Sequence, residues 1–212
     1  PLWLFVAVAD YLRASGRRDV LADDCGGRPL QQVLADLAKA ILAGSPNGIR
    51  ADPDSGLVFS PAHFTWMDTN HPAGTPREGY PIETQALWYR ALVLLAELDG
   101  RGARWAELAA RVRDAVMRLY ARGAGRGLSD CLHAGPGTPA RKAHADDACR
   151  PNQLLAVTLG LVSDPAVARQ IVAACWPLLV PGGIRSLADQ PVAYPLAIRY
   201  QGQLVNDPEK PY

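Results

Sequence analysis

The chain has 212 residues, enough for one domain with a sizeable core or for part of a larger one. Its 22 Lys and Arg balance 21 Asp and Glu along the length, for a net charge of +1, and no basic block tracks a phosphate backbone, which argues against nucleic acid. The longest apolar run, in PLWLFVAVA, is well short of the roughly 20 residues of a membrane span, so no membrane partner is expected.

Taken in order, two kinds of helix alternate. Residues 2–12 (LWLFVAVADYL) are apolar all round, and residues 29–43 carry one stripe, Leu30, Val33, Leu34, Leu37, Ile41 and Leu42. Residues 82–98 (IETQALWYRALVLLAEL) are again apolar, followed by a stripe of Trp105, Leu108, Ala109, Val112, Val116 and Leu119. Residues 151–162 (PNQLLAVTLGLV) and a stripe of Val167, Ile171, Cys175 and Leu178 make a third pair. Helices apolar on every face are buried on most sides, while striped ones face water on one side. The order predicts an all-α architecture, an (α/α)6 toroid of helical hairpins of which this chain is an incomplete part. The chain opens on Pro1-Leu2-Trp3 inside an apolar helix pattern and stops at NDPEKPY. It is therefore read as one catalytic-domain piece, residues 1–212, truncated at both ends.

Three long segments separate the helices, and long loops in a domain are usually functional. Segment 44–80 is punctuated by Pro46, Pro53, Pro61, Pro72 and Pro76, with a short strand expected at GLVFS (56–60). Segment 122–149 is Gly-rich and then acidic, and segment 181–212 holds PGGIRSLAD and NDPEKPY; both read as loops. The four cysteines, Cys25, Cys131, Cys149 and Cys175, form no CxxC and no zinc-like spacing, which suits reduced thiols in the cytoplasm. His63, His71, His133 and His144 do not share a helix at ligand spacing, so no metal and no cofactor is expected. Nothing in the pattern specifies an oligomer.

The stretch TWMDTN sets Asp68 beside Trp66 and Met67. A carboxyl wedged between two large apolar residues loses solvation and stays protonated near neutrality, as a general acid for glycoside cleavage must. The alternative is an Asp capping a turn in Asp-Thr-Asn. Arg77 lies in a Pro/Gly-bounded loop, and Glu83 falls in the first turn of an apolar helix, where the dipole favours it and a cavity mouth would receive it. Trp66 and Trp88 offer faces on which a pyranose could stack, or simply core. In HADDACRPNQLL, Asp147 and Arg150 precede Asn152 and Gln153. Asp147 can cap the helix and pair with Arg150, and the two amides can await a polyhydroxylated ligand; the two readings are compatible.

HFTWMDTNHPAGTPREGYPIETQALWY and DDACRPNQLLAVTLG together resemble the glucosidase domain of glycogen debranching enzymes, the amylo-α-1,6-glucosidase family of the six-hairpin glycosidases; PGGIRSLAD and NDPEKPY are similar to it as well. The resemblance implies an inverting hydrolase that removes α-1,6-linked glucose stubs from branched α-glucans, its substrate partner. It implies Asp68 as general acid, and Trp66, Arg77, Glu83, Trp88, Asp147, Arg150 and Asn152 as substrate-binding residues. The water-activating base of the family would lie beyond the C-terminal end of this chain, leaving the piece inactive alone. Two other readings compete: a six-hairpin glycosidase acting on a trehalose- or glucosylglycerate-type substrate, and a non-catalytic glycan-binding module. A sugar epimerase would need a His pair that the sequence does not offer.

Overall fold

A computed structural model of the chain describes residues 1–67, 74–100, 103–123 and 125–210. Among them six α-helices follow the order the apolar patterns predict: α1 Leu2–Ser15, α2 Leu30–Ala43, α3 Ile82–Leu98, α4 Ala103–Leu119, α5 Leu154–Thr158 and α6 Pro165–Cys175. Their ends obey local chemistry. Gly16 closes α1 in the left-handed region, its N–H donating to the Leu12 carbonyl, and Asp164 caps α6 by accepting from the Ala166 N–H. None of the described helices is long and apolar enough to cross a membrane.

α3 is the hub. Along it Ile82, Ala86, Trp88, Ala91, Leu92, Leu94 and Leu95 are buried, and it packs against α1, α2, α4 and α5. The stripe on α4 turns inward as the sequence predicts, with Trp105, Leu108, Ala109, Val112 and Val116 buried and Leu119 half-buried. α1 departs from expectation. Only Phe5, Val8 and Ala9 are buried, because α3 covers one of its faces, and Trp3, Leu4 and Tyr11 are exposed. The third apolar helix is also shorter than the 151–162 pattern. It begins as a 3-10 turn, Pro151–Gln153, continues as α5 and stops before Gly160, which takes a left-handed φ of 76°.

The all-α reading needs correction, because each long segment folds back as short antiparallel pairs. β1 (Arg50–Ala51) pairs with β2 (Val58–Phe59), the strand expected in GLVFS. β3 (Gly79–Pro81), β4 (Cys131–His133) and β5 (His144–Ala145) form a three-stranded sheet in that order, with Gly79 opposite His133 and His133 opposite His144. β6 (Leu179–Val180) pairs with β7 (Gly183–Ile184), and β8 (Arg199–Tyr200) with β9 (Gln203–Leu204). These strands are two or three residues long, so no periodicity of two has room to show in the sequence. The chain is a mixed structure, helices with small sheets.

The sheet centred on β4 positions the site. Gly79 is held on both flanks, by Ser60 through two backbone hydrogen bonds and by β4, in a conformation with φ of 131°. A Cβ there would stand 2.1 Å from the Leu132 carbonyl oxygen, so only glycine fits. β3 runs directly into α3, whose first N–H, on Ile82, donates to the Asp130 carbonyl at 2.9 Å. Gln85 of α3 exchanges hydrogen bonds with both backbone groups of Val58, and the Trp88 indole N–H donates to the Gly56 carbonyl, which clamps the β1–β2 hairpin onto α3.

Candidate functional site

Where β3 enters α3, four charged side chains meet with almost no exposure: Arg77, Glu83, Asp130 and Arg150. Arg77 forks onto Glu83 with bonds of 2.5 and 2.6 Å and gives its Nε to the Asp130 Oδ2 at 2.6 Å. It also donates to the Asp130 carbonyl at 3.2 Å, and the Thr65 hydroxyl oxygen lies 3.5 Å from its Nη1. Arg150 Nε stands 3.5 Å from the same Asp130 Oδ2, and Arg150 Nη1 donates to the Ser186 carbonyl. Among the described residues two cations and two carboxylates meet here, and such pairing is the condition on which charges survive out of water. Burial works against the charged Arg77, but Asp130 and Glu83 outweigh it and raise its pKa well above the ordinary value. Burial, and then repulsion from Arg77 against the pull of Asp130, lowers that of Arg150.

Two hydrogen bonds connect this cluster to the surface. Asn152 Nδ2 donates to Asp130 Oδ1 at 2.8 Å and approaches the Met67 sulfur at 3.4 Å. Its Oδ1 accepts from the Trp66 indole N–H at 3.0 Å. Met67 is buried, whereas Trp66 is 58% exposed. The expected apolar wedge around TWMD therefore divides: Met67 anchors it inside and Trp66 presents its ring outside.

A second buried group adjoins the first. Asp146 Oδ1 accepts from the Asp130 N–H at 2.8 Å, and its Oδ2 lies 3.1 Å from His133 Nε2. Burial raises the Asp146 carboxyl, the His133 contact opposing it in part. Tyr194 stacks between His133 and His144 with ring centroids 4.3 and 4.6 Å away. Next to it, Asp147 accepts from the Ala193 N–H with both oxygens, at 2.9 and 3.0 Å. The segment after α6 is thereby strapped across β4 and β5.

Among the residues singled out from the sequence, the structure brings Trp66, Arg77, Glu83, Arg150 and Asn152 into one connected cluster. Asp68 lies outside the described residues. Arg77 and Trp88, expected as substrate-binding residues, have no exposed surface. Arg77 braces Glu83 and Asp130 from within, and Trp88 is core with its N–H satisfied. Glu83 is locked by Arg77 rather than aimed into a cavity mouth. Asp147 neither caps α5 nor pairs with Arg150; it holds the 193–194 backbone. The amides at the start of the third apolar helix find protein partners, Gln153 accepting from the Leu128 N–H and donating to the Arg150 carbonyl. Sequence reasoning missed Asp130, on which the cluster converges. Its only local signal is a lone acid between small and apolar residues in LSDCLH.

A sequence model of the family amylo-alpha-1,6-glucosidase matches residues 1–211. The chain belongs to that family. No curated protein matches it. Membership makes this a glycosidase-type domain with a carbohydrate substrate, and the amylo-alpha-1,6-glucosidase match takes in every residue of the cluster. An exposed indole fixed at its nitrogen above buried charges suits such a substrate, because sugar rings bind through their apolar faces to aromatic side chains and through hydroxyls to polar ones.

Proposed function

We propose that this chain supplies the acid-bearing, sugar-contacting part of an inverting glucosidase that removes α-1,6-linked glucose stubs from branched α-glucans. Trp66 carries the reading: within a chain of the amylo-alpha-1,6-glucosidase family, its indole is exposed, held at the nitrogen, and two positions from Asp68 in sequence. In this reading the terminal glucose rests on Trp66, with Asp147, Arg150 and Asn152 around it, and Asp68 protonates the bridging oxygen as the bond breaks. The anomeric carbon is attacked from the opposite face by a water that a second carboxylate deprotonates, about 6.5–9.5 Å from the acid. That base belongs to a part of the protein outside this chain. The three helix pairs then form one arc of an α/α toroid, a proposal supported by the exposed apolar side chains of α1, Trp3, Leu4 and Tyr11. Free thiols at all four cysteines support a cytoplasmic setting.

The test is glucose release from a branched limit dextrin by the full-length gene product and by its Asp68→Asn variant. The parent should release glucose, and loss of a general acid should lower turnover by about 100-fold or more with binding retained. Equal turnover in parent and variant removes Asp68 from the role. Release only from trehalose- or glucosylglycerate-type substrates moves the protein to another six-hairpin activity. Tight oligosaccharide binding without any release leaves a glycan-binding module.

A further inference from the structure

The orientation of Trp66 is decided inside the protein, at Asp130. An Asn side chain has an accepting end and a donating end, and its partners determine which way it points. Asp130 Oδ2 is occupied by the Arg77 Nε, with Arg150 behind it, which leaves Oδ1 as an acceptor for Asn152. A carboxylate can only accept, so it takes the NH2 end of Asn152 and turns Oδ1 outward. An indole nitrogen can only donate, and Trp66 Nε1 meets that oxygen at 3.0 Å. Every link in the series Arg77, Asp130, Asn152, Trp66 is thus matched donor to acceptor, and reversing any one breaks the next. The carboxylate of Asp130 is 1% exposed, whereas the ring at the other end is more than half in solvent. Restraint of an exposed aromatic platform matters for ligand binding because a ring already held in place loses less freedom when a sugar settles on it.

Resting on the platform reading of Trp66 given above, we propose that Asp130 is a positioning residue that acts through Asn152 to fix the Trp66 indole for a glucosyl ring. It touches no substrate. Its effect is on affinity, exerted over two hydrogen bonds.

The experiment is steady-state kinetics on limit dextrin with the full-length protein, with thermal unfolding measured on every variant. Trp66→Ala tests the platform itself and should raise KM. Asp130→Asn and Asn152→Asp each mismatch one link and should raise KM about tenfold, the equivalent of about 1.4 kcal/mol, with kcat held within about threefold. The double variant Asp130→Asn/Asn152→Asp restores the series. The new amide at 130 gives its oxygen to Arg77 and its NH2 to the new carboxylate at 152, which still accepts from Trp66. KM should return to within about threefold of the parent. A double variant no better than the worse single one overturns the proposal, as does a folded Asp130→Asn with parental KM. Should Asp130→Asn not fold, Asn152→Asp and the double variant still decide. Parental KM in Trp66→Ala overturns instead the platform reading on which the proposal rests.

Discussion

Replacement of Arg77 by Met tests the central energetic claim, that one guanidinium makes two buried carboxylates tolerable. The side chain keeps similar length and loses its charge. Glu83 and Asp130, 4% and 2% exposed, are then left with Arg150, which stands 3.5 Å from Asp130. Removing one member of a buried ion pair costs about 3–5 kcal/mol, chiefly the penalty of the stranded partner. Here one cation serves two carboxylates, so a loss of about 5 kcal/mol is expected, near the whole stability of a marginal domain. Arg77→Lys retains the charge but places its donors at a single point and cannot fork onto Glu83 while reaching Asp130. It forfeits about two charge-assisted hydrogen bonds and should cost about 3 kcal/mol after relaxation. Arg77→Met combined with Glu83→Gln should be less damaging than Arg77→Met alone, because one of the two stranded charges is gone. Urea unfolding followed by circular dichroism at neutral pH measures all three. An Arg77→Met variant within about 1 kcal/mol of the parent refutes the reasoning, since ordinary surface changes reach nearly that much. So does a Lys variant as damaged as the Met one.

Gly79→Ala should cost about 3 kcal/mol or more in the same assay, because its Cβ meets the Leu132 carbonyl oxygen at a φ alanine avoids; a loss under 1 kcal/mol contradicts the placement of β3 against β4. Burial raises the Asp146 carboxyl, so the folded chain holds that proton more tightly than the unfolded chain does. Its contribution to stability is full below the ordinary carboxylate value of about 3.9 and is lost as pH rises through the raised one. The stability of Asp146→Asn, which cannot titrate there, should therefore gain on the parent as pH climbs; a pH-independent difference rejects that account. Thiol titration of the native chain should find Cys25 reacting fast and Cys149, half-buried, slowly. Cys131 and Cys175 should react only on unfolding, since burial pushes both thiols up, Cys175 to about 12. Rapid modification of Cys131 or Cys175 in the folded protein is the contrary result.

Helix positions were legible in the sequence because a helix is a local object. The 3.6-residue spacing of Trp105, Leu108, Val112 and Val116, and the apolar continuity of residues 82–98, needed no knowledge of distant partners. Motif resemblance led to the family for a related reason, since TWMDTN and CRPNQLL are contiguous. Contiguity also suggested Trp66, Arg77, Glu83, Arg150 and Asn152, all of which the fold gathers into one cluster. Roles within the cluster were another matter. Whether Arg77 faces a ligand or Glu83 depends on β3 pairing with β4 at Gly79 and running into α3 at Ile82, and whether Trp88 stacks on sugar or fills the core depends on Gly56 lying over it. Asp130 was invisible because its partners are 53 and 22 residues away in the chain, and a lone acid in LSDCLH carries no periodic signal. Apart from the strand expected in GLVFS, the small sheets escaped notice for the same reason: strands of two or three residues are defined by the strand they pair with, not by their own residues. Local periodicity set the helices, and long-range hydrogen bonds and ion pairs, which depend on closure of the whole chain, decided which buried charges support which exposed ring.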